Sequence, residues 1–312
     1  DISFNRLGSF NNSFLYLCCL IYSMQNFQFN TSPGLRFGEG SSVNSCSEII
    51  NQLGSNIFFI TDPGLMSLGL TKPTIAELEK KSEVKIFDKV EADPSRNTLL
   101  KAIDEARSFK TTGVIGFGGG SSMDVAKLVA LILGSNEDLE EVWGIANAKG
   151  PRLPLVLIPT TAGTGSEVTP ISIITVENNE KRGVSSSLIL PDLSILDPTL
   201  TIGLPAKITA ATGIDAMVHA IEAYASCNTN NNPISKILSI EALKLIGSSI
   251  EKAVLEGNNM EARSNMLIGS MLAGKAFANS PVAAVHALAY PIGGMYHIPH
   301  GLSNALVLPY VL

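Results

Sequence analysis

The sequence predicts an α/β half built on a parallel sheet, followed by an all-helical half. Up to about residue 204, short apolar runs of strand length alternate with segments of helical periodicity. One junction, "GFGGGSSMD" (116–124), places consecutive glycines where a strand feeds a helix. Beyond residue 205, the segments 206–226, 233–256 and 260–279 all read as helices, with no convincing strand between them.

The elements of the first half follow in order. "SEIINQLGSNIFFITD" (47–62) reads as a helix end, a glycine turn and a buried strand closing on Asp62. "TIAELEKKSE" (74–83) is an exposed helix and "VKIFDKV" (84–90) a second strand. "DPSRNTLLKAIDEARSF" (93–109) has an early proline and an apolar stripe at helical spacing. Residues 113–133 run strand, glycine turn, helix, and "PLVLIPTTAGTGSEVTP" (154–170) is a strand and a loop of small residues. The change of pattern puts a domain boundary in 200–208, giving an α/β domain over 24–204 and a helical domain over 205–312.

Composition narrows the function classes. A chain of 312 residues, 45% hydrophobic and 16% charged, has the core-rich make-up of a globular protein and room for two domains. Its net charge of −6 comes without a dense Lys/Arg cluster, which disfavours nucleic-acid and anionic-membrane partners. Cys18, Cys19, Cys46 and Cys227 form no CxxC pair, so free thiols in a reducing, cytoplasmic setting are expected. The run "FLYLCCLIY" (14–22) is too short to cross a bilayer. It fits a signal-peptide core with Arg6 as its thin positive region. Met24 opens a plausible true start, and residues 1–23 are read in preference as a non-native or disordered extension.

Two chemical features stand out. The glycine turn lets a ligand approach the backbone, and the helix start after it offers amides to a phosphate. A serine occupies the final glycine position of the GxGxxG fingerprint, so a tight structural turn stays open as the plainer reading. Asp62, at a strand end, is the residue type that accepts hydrogen bonds from an adenosine ribose and repels the additional phosphate of NADP; a turn residue before Pro63-Gly64 is the plainer alternative. The second feature is that all four histidines, His219, His286, His297 and His300, lie in the helical half. Asp215 and His219 stand one helical turn apart and share a face. Pro291 and Gly293-Gly294 are expected to break the helix after His286 so that a second histidine returns towards the first. A carboxylate with several imidazoles suits a divalent Fe(II) or Zn(II) better than a closed thiolate site would.

Together "GGGSSMDVAK", "IPTTAGTGSEVT", "GIDAMVHAIEAYAS" and "HALAYPIGGMYHIPHGLSNAL" resemble the iron-containing (group III) alcohol dehydrogenase family, from about Met24 to the last residue. The resemblance implies a dinucleotide-binding α/β domain and an all-α metal-binding domain, a dehydroquinate synthase-like fold with the active site between them. It places the metal ligands at Asp215, His219, His286 and His300, and His297 outside the ligand set. It places pyrophosphate contacts at Gly119, Gly120 and Ser121 with Asp124 close by, and Thr160, Thr161 and Thr164 beside the cofactor. Lys181 matches a lysine that reaches the nicotinamide-side ribose, and Asp62 favours NAD.

The implied reaction is hydride transfer between a primary alcohol or aldehyde and NAD(H), with the metal as a Lewis acid. Proton transfer falls to Tyr290, His297 or a water chain. Two positions depart from the pattern: Tyr290 stands where some members carry a histidine, and Ala92-Asp93-Pro94 replaces Pro-Asn-Pro. Rival readings are a hydroxyacid–oxoacid transhydrogenase, a maleylacetate reductase-like enzyme, and an inactive fragment serving in assembly; "PHG" and "AGTGSE" argue against a lyase of the dehydroquinate synthase kind. A homodimer or higher homo-oligomer is expected. The chain ends twelve residues after His300, so it is expected to be incomplete at its C-terminus, with the apolar faces of 233–256 and 260–279 short of packing partners.

Overall fold

The structure, a computed structural model, describes residues 26–281, 284–296 and 298–312, and of Asn179, Tyr290 and Gly294 the backbone alone. The extension read over 1–23 lies outside the described residues. In the first half, β1 (Gly34–Phe37) is followed by α1 (Cys46–Leu53), and β2 (Asn56–Ile60) by α2 (Pro63–Leu68) and α3 (Lys72–Leu78). Then come β3 (Glu83–Phe87), α4 (Arg96–Ser108), β4 (Gly113–Gly118) and α5 (Gly120–Ser135). β5 (Gly144–Ile145), β6 (Leu155–Pro159), β7 (Ile171–Thr175), β8 (Lys181–Ser185) and β9 (Leu193–Leu196) complete it.

Six of these strands form one sheet in the order β1-β9-β6-β4-β2-β3, and every neighbouring pair is parallel. Its residues alternate between two cores. Phe58, Ile60, Val114, Leu155 and Leu157 face α4 and α5. Ile57, Phe59, Ile115, Phe117, Val156 and Ile158 face α1 and α3. Burial on both faces is why the strands read as unbroken apolar runs rather than alternating ones. From β2 the chain moves outward to β3, then returns to β4 on the other side of β2. That reversal opens a crevice beyond the carboxyl ends of β2 and β4, where open α/β sheets bind ligands.

The structure also differs from the sequence reading. A second, three-stranded sheet, β5-β8-β7, contains an antiparallel hairpin. Its strand "KRGVS" opens with two exposed charged residues and buries only Val184, so no apolar pattern announced it. The helix expected over 74–83 is Lys72–Leu78, because Glu83 already pairs with Asn56 at the start of β3.

The second half contains α6 (Ala206–Ala225), α7 (Pro233–Leu255), α8 (Met260–Asn279), α9 (Ala284–Tyr296) and α10 (His300–Val311). Asn232 and Asn259 cap α7 and α8 by accepting from the backbone N–H of Ser235 and Ala262. α8 packs between α6 and α7 and against loops of the first half, so it does not show the under-packed face expected of 260–279. Exposed apolar side chains lie instead on α7 (Ile234, Ile237, Ile240) and on α10 (Leu302, Leu306, Tyr310). The break expected at Pro291 is also corrected: α9 continues through Pro291 to Tyr296. Pro299 keeps the residue before it out of helix and caps α10. Among the described residues no helix is long and apolar enough to cross a membrane.

Candidate functional site

Asp215 and His219 are both buried on one face of α6. α9 brings buried His286 to them, and a ligand atom from each of the three lies within 4.8 Å of the others. His300, the first residue of α10, adds a fourth group: its Nε2 is 3.5 Å from Asp215 Oδ1, and that of His286 is 3.8 Å away. Donors bound to one metal at about 2.1 Å sit roughly 3.4 Å apart, so these separations suit a shared cation. Gly301 makes the approach of α10 possible, since a Cβ there would lie 2.3 Å from the Ala211 carbonyl oxygen of α6. That contact gives the "HG" pair its meaning.

The electrostatics fit a cation. Burial is the largest influence on Asp215 and acts to raise its pKa, but the three imidazoles and the Asn304 amide outweigh it, leaving the carboxyl below its usual value. Burial pushes His219 down to about 4. His300 is lowered as well, by burial first and then by His286 and Lys181. His219 and His300 are therefore neutral near pH 7, with lone pairs free for a metal. One carboxylate and three imidazoles are the donor chemistry of a divalent borderline metal, and the residues fit it.

Three further groups support this set. Asn304 donates through Nδ2 to Asp215 Oδ1 at 2.6 Å and lies 3.3 Å from Nε2 of both His286 and His300. Its N–H group thus sits where the lone pairs converge. Phe277 stacks on His219 with ring centroids 4.2 Å apart. Glu222 contacts the other ring nitrogen of His286. The sequence reading assigned no role to Asn304, Phe277 or Glu222. Glu222 is the one that carried a signal, since it follows Asp215 and His219 on the same helical stripe.

A cavity of about 260 Å³ joins this cluster to the glycine turn. Of the residues expected at the nucleotide, it brings together Gly120, Ser121, Asp124, Thr164 and Lys181 with Asp215, His219, His286 and His300. Gly119 caps α5 and makes no side-chain cap bond, unlike Asp62, Ser95, Asn232 and Asn259 at other helix starts. The first amides of α5 are therefore left to an anionic ligand. Thr161 lies beside Gly119, and Gly120 packs against Thr164. Thr160 is buried at the end of β6, where its N–H donates to the Gly118 carbonyl, and it is not on the cavity wall.

Asp124 is committed to the protein as well as to the wall. Its carboxylate accepts from Ser166 Oγ at 2.6 Å and from Ile173 N at 3.0 Å. Asp62 ends β2 across the crevice from the turn and accepts from Leu65 N as the cap of α2, outside the cavity lining. Lys181 pairs with Asp93, the residue that departs from the family pattern. Among the residues expected to move protons, Tyr290 has its backbone in α9 and an undescribed side chain, and His297 lies outside the described residues.

Two family models match the chain: "Iron-containing alcohol dehydrogenase" over residues 33–198 and "Fe-containing alcohol dehydrogenase family, C-terminal" over 209–312. Long-chain-alcohol dehydrogenase 1 of Geobacillus thermodenitrificans is 46% identical over 268 residues, covering 84% of this chain and 67% of its own length. Sulfoacetaldehyde reductase of Bilophila wadsworthia is 38% identical over 275 residues, covering 88% of this chain and 70% of its own. Among solved structures, a 1,3-propanediol oxidoreductase aligns with a TM-score of 0.87 at 36% identity, covering 92% of this chain and 75% of that one. A sulfoacetaldehyde reductase of Bifidobacterium kashiwanohense in complex with NAD+ aligns with a TM-score of 0.83 at 30% identity, covering 92% of this chain and 76% of that one.

Proposed function

This chain belongs to the iron-containing alcohol dehydrogenase family, and from that premise we propose that it interconverts a primary alcohol and its aldehyde using NAD(H) and a divalent metal, Fe(II) or Zn(II). When bound, the nicotinamide carries the hydride and the metal polarises the substrate oxygen. The observation that carries this reading is the single cavity with Asp215, His219, His286 and His300 at one end and the start of α5 at the other. The four side chains hold the cation. Gly119, Gly120 and Ser121 hold the pyrophosphate, with Asp124, Thr161 and Thr164 around it, while Thr160, off the cavity wall, supports the loop from the end of β6. Lys181, paired with Asp93, is placed for the ribose on the nicotinamide side.

Between these ends the wall carries apolar Ile171, Ile173 and Phe277 beside polar Ser166, Thr169 and Thr175, which suits a small substrate with an apolar body and a polar end. Tyr290, His297 or a water chain passes the proton to solvent. Cytoplasmic residence is supported by the free thiols of Cys46 and Cys227. The test is steady-state NADH oxidation against a panel of aldehydes, with the metal first stripped and then Fe(II) restored. Metal-dependent consumption of NADH with at least one aldehyde is expected. Turnover that ignores both stripping and restoration would exclude the metal role.

A further inference from the structure

Glu222 belongs to the stripe that carries the two ligands of α6: Asp215, His219 and Glu222 follow at helical spacing and all three are buried. A second carboxylate on a buried helix face requires partners. Both of its oxygens have one. Oε1 accepts from the backbone N–H of Val285 at 2.6 Å, and Oε2 lies 2.6 Å from Nδ1 of His286. Val285 is in the first turn of α9, where a backbone N–H has no partner within the helix. The same carboxylate therefore ties down the start of α9 and grips the ring that α9 presents to the metal cluster.

We propose that Glu222 is the positioning residue of the metal site, holding His286 in the tautomer with its proton on Nδ1 so that the Nε2 lone pair faces the cation. This rests on the metal reading above and deepens it. The far side of the ring agrees: Nε2 of His286 lies 3.3 Å from the Asn304 amide nitrogen, a donor, as a lone pair there requires. Charge agrees as well. Asp215 and Glu222 bring two buried carboxylates to the cluster, which offsets the charge of a divalent cation.

The geometry makes glutamine a sharp probe. Among the described residues two donors, the Val285 N–H and the His286 Nδ1–H, meet the two acceptor oxygens. A glutamine offers one acceptor, and its NH2 group would face a donor or force the imidazole to move its proton to Nε2. Nearly isosteric Glu222→Gln should therefore weaken metal binding about ten- to a hundred-fold while leaving the helical circular dichroism of the protein unchanged.

Affinity is read by titrating Co(II) into parent and variant against a competing chelator, with the visible cobalt spectrum reporting the ligand field. Nitrogen-labelled histidine NMR of the zinc-loaded parent adds an independent reading, the expected signal being a protected Nδ1–H on His286. If the parent binds cobalt and Glu222→Gln binds it as tightly with the same spectrum, the assignment to Glu222 fails while the metal site stands. A zinc-loaded parent with no Nδ1–H on His286 overturns it too, whatever the variant does. A parent that binds no cobalt overturns the metal reading itself, and this assignment with it.

Discussion

Glu167 is a buried carboxylate outside the metal cluster, on the 3-10 turn Ser166–Val168 that meets α8. Its Oε1 has no hydrogen-bond partner among the described residues. Burial raises its pKa to about 7, against the opposing pull of its own backbone and of Lys127 and Lys275. A carboxyl raised above its unfolded value contributes stability that is complete at low pH and is lost as pH rises towards the folded pKa. Replacement by glutamine removes that titration. The melting temperature of Glu167→Gln relative to the parent should therefore climb between pH 5 and pH 8, by an amount equivalent to about 1–3 kcal/mol. A difference that stays flat across those buffers would contradict the shift. Asp215 and His219 were legible as a pair because four residues on a helix fix a shared face. Asn304 was not, and Glu222 only as a further member of the same stripe, since the contacts that give both their importance depend on which helices meet.

At the scale of elements, the site depends on how α10 and α2 begin. Gly301 lets α10 touch α6 at the Ala211 carbonyl, so Gly301→Ala must push the helix outward and carry His300 away from Asp215. Metal affinity should fall at least about ten-fold, as for loss of a supporting contact, with NADH binding at the opposite end of the cavity little changed. Metal retained at parental affinity would show that α10 tolerates the shift. Asp62 has two roles that a single substitution separates. As the cap of α2 it accepts from Leu65 N, and asparagine caps as well as aspartate. Asp62→Asn should therefore keep stability within about 0.5 kcal/mol and reduce the preference for NADH over NADPH, measured as the ratio of kcat/KM values. A parent with equal ratios would leave Asp62 only its cap.

The whole molecule joins its halves through close contacts and through the cavity. Gly165, in a left-handed turn, meets Gly274 of α8 so tightly that a Cβ on it would lie 2.6 Å from the Gly274 Cα. The proposed metal ligands come from α6, α9 and α10, so a bound cation would cross-link three helices. Adding Zn(II) at about one hundred times its dissociation constant should stabilise the chain by about 2.7 kcal/mol, seen as a higher Tm that a chelator reverses. A Tm indifferent to both would mean that the ligands do not converge in solution. By itself the sequence determined the alternation of β2, β3, β4 and β6 with helices in the first half, the helical character of the second, the glycine turn and the pairing of Asp215 with His219. All of these are local: they follow from periodicity, turn chemistry and side-chain spacing along one element. Tertiary structure decided the charged hairpin that walls the cavity, the passage of α9 through Pro291, the contact at Gly301 and the grip of Glu222 on His286. Each of those depends on two segments distant in sequence meeting at a distance of a few ångströms, and the pattern within either segment does not contain that meeting.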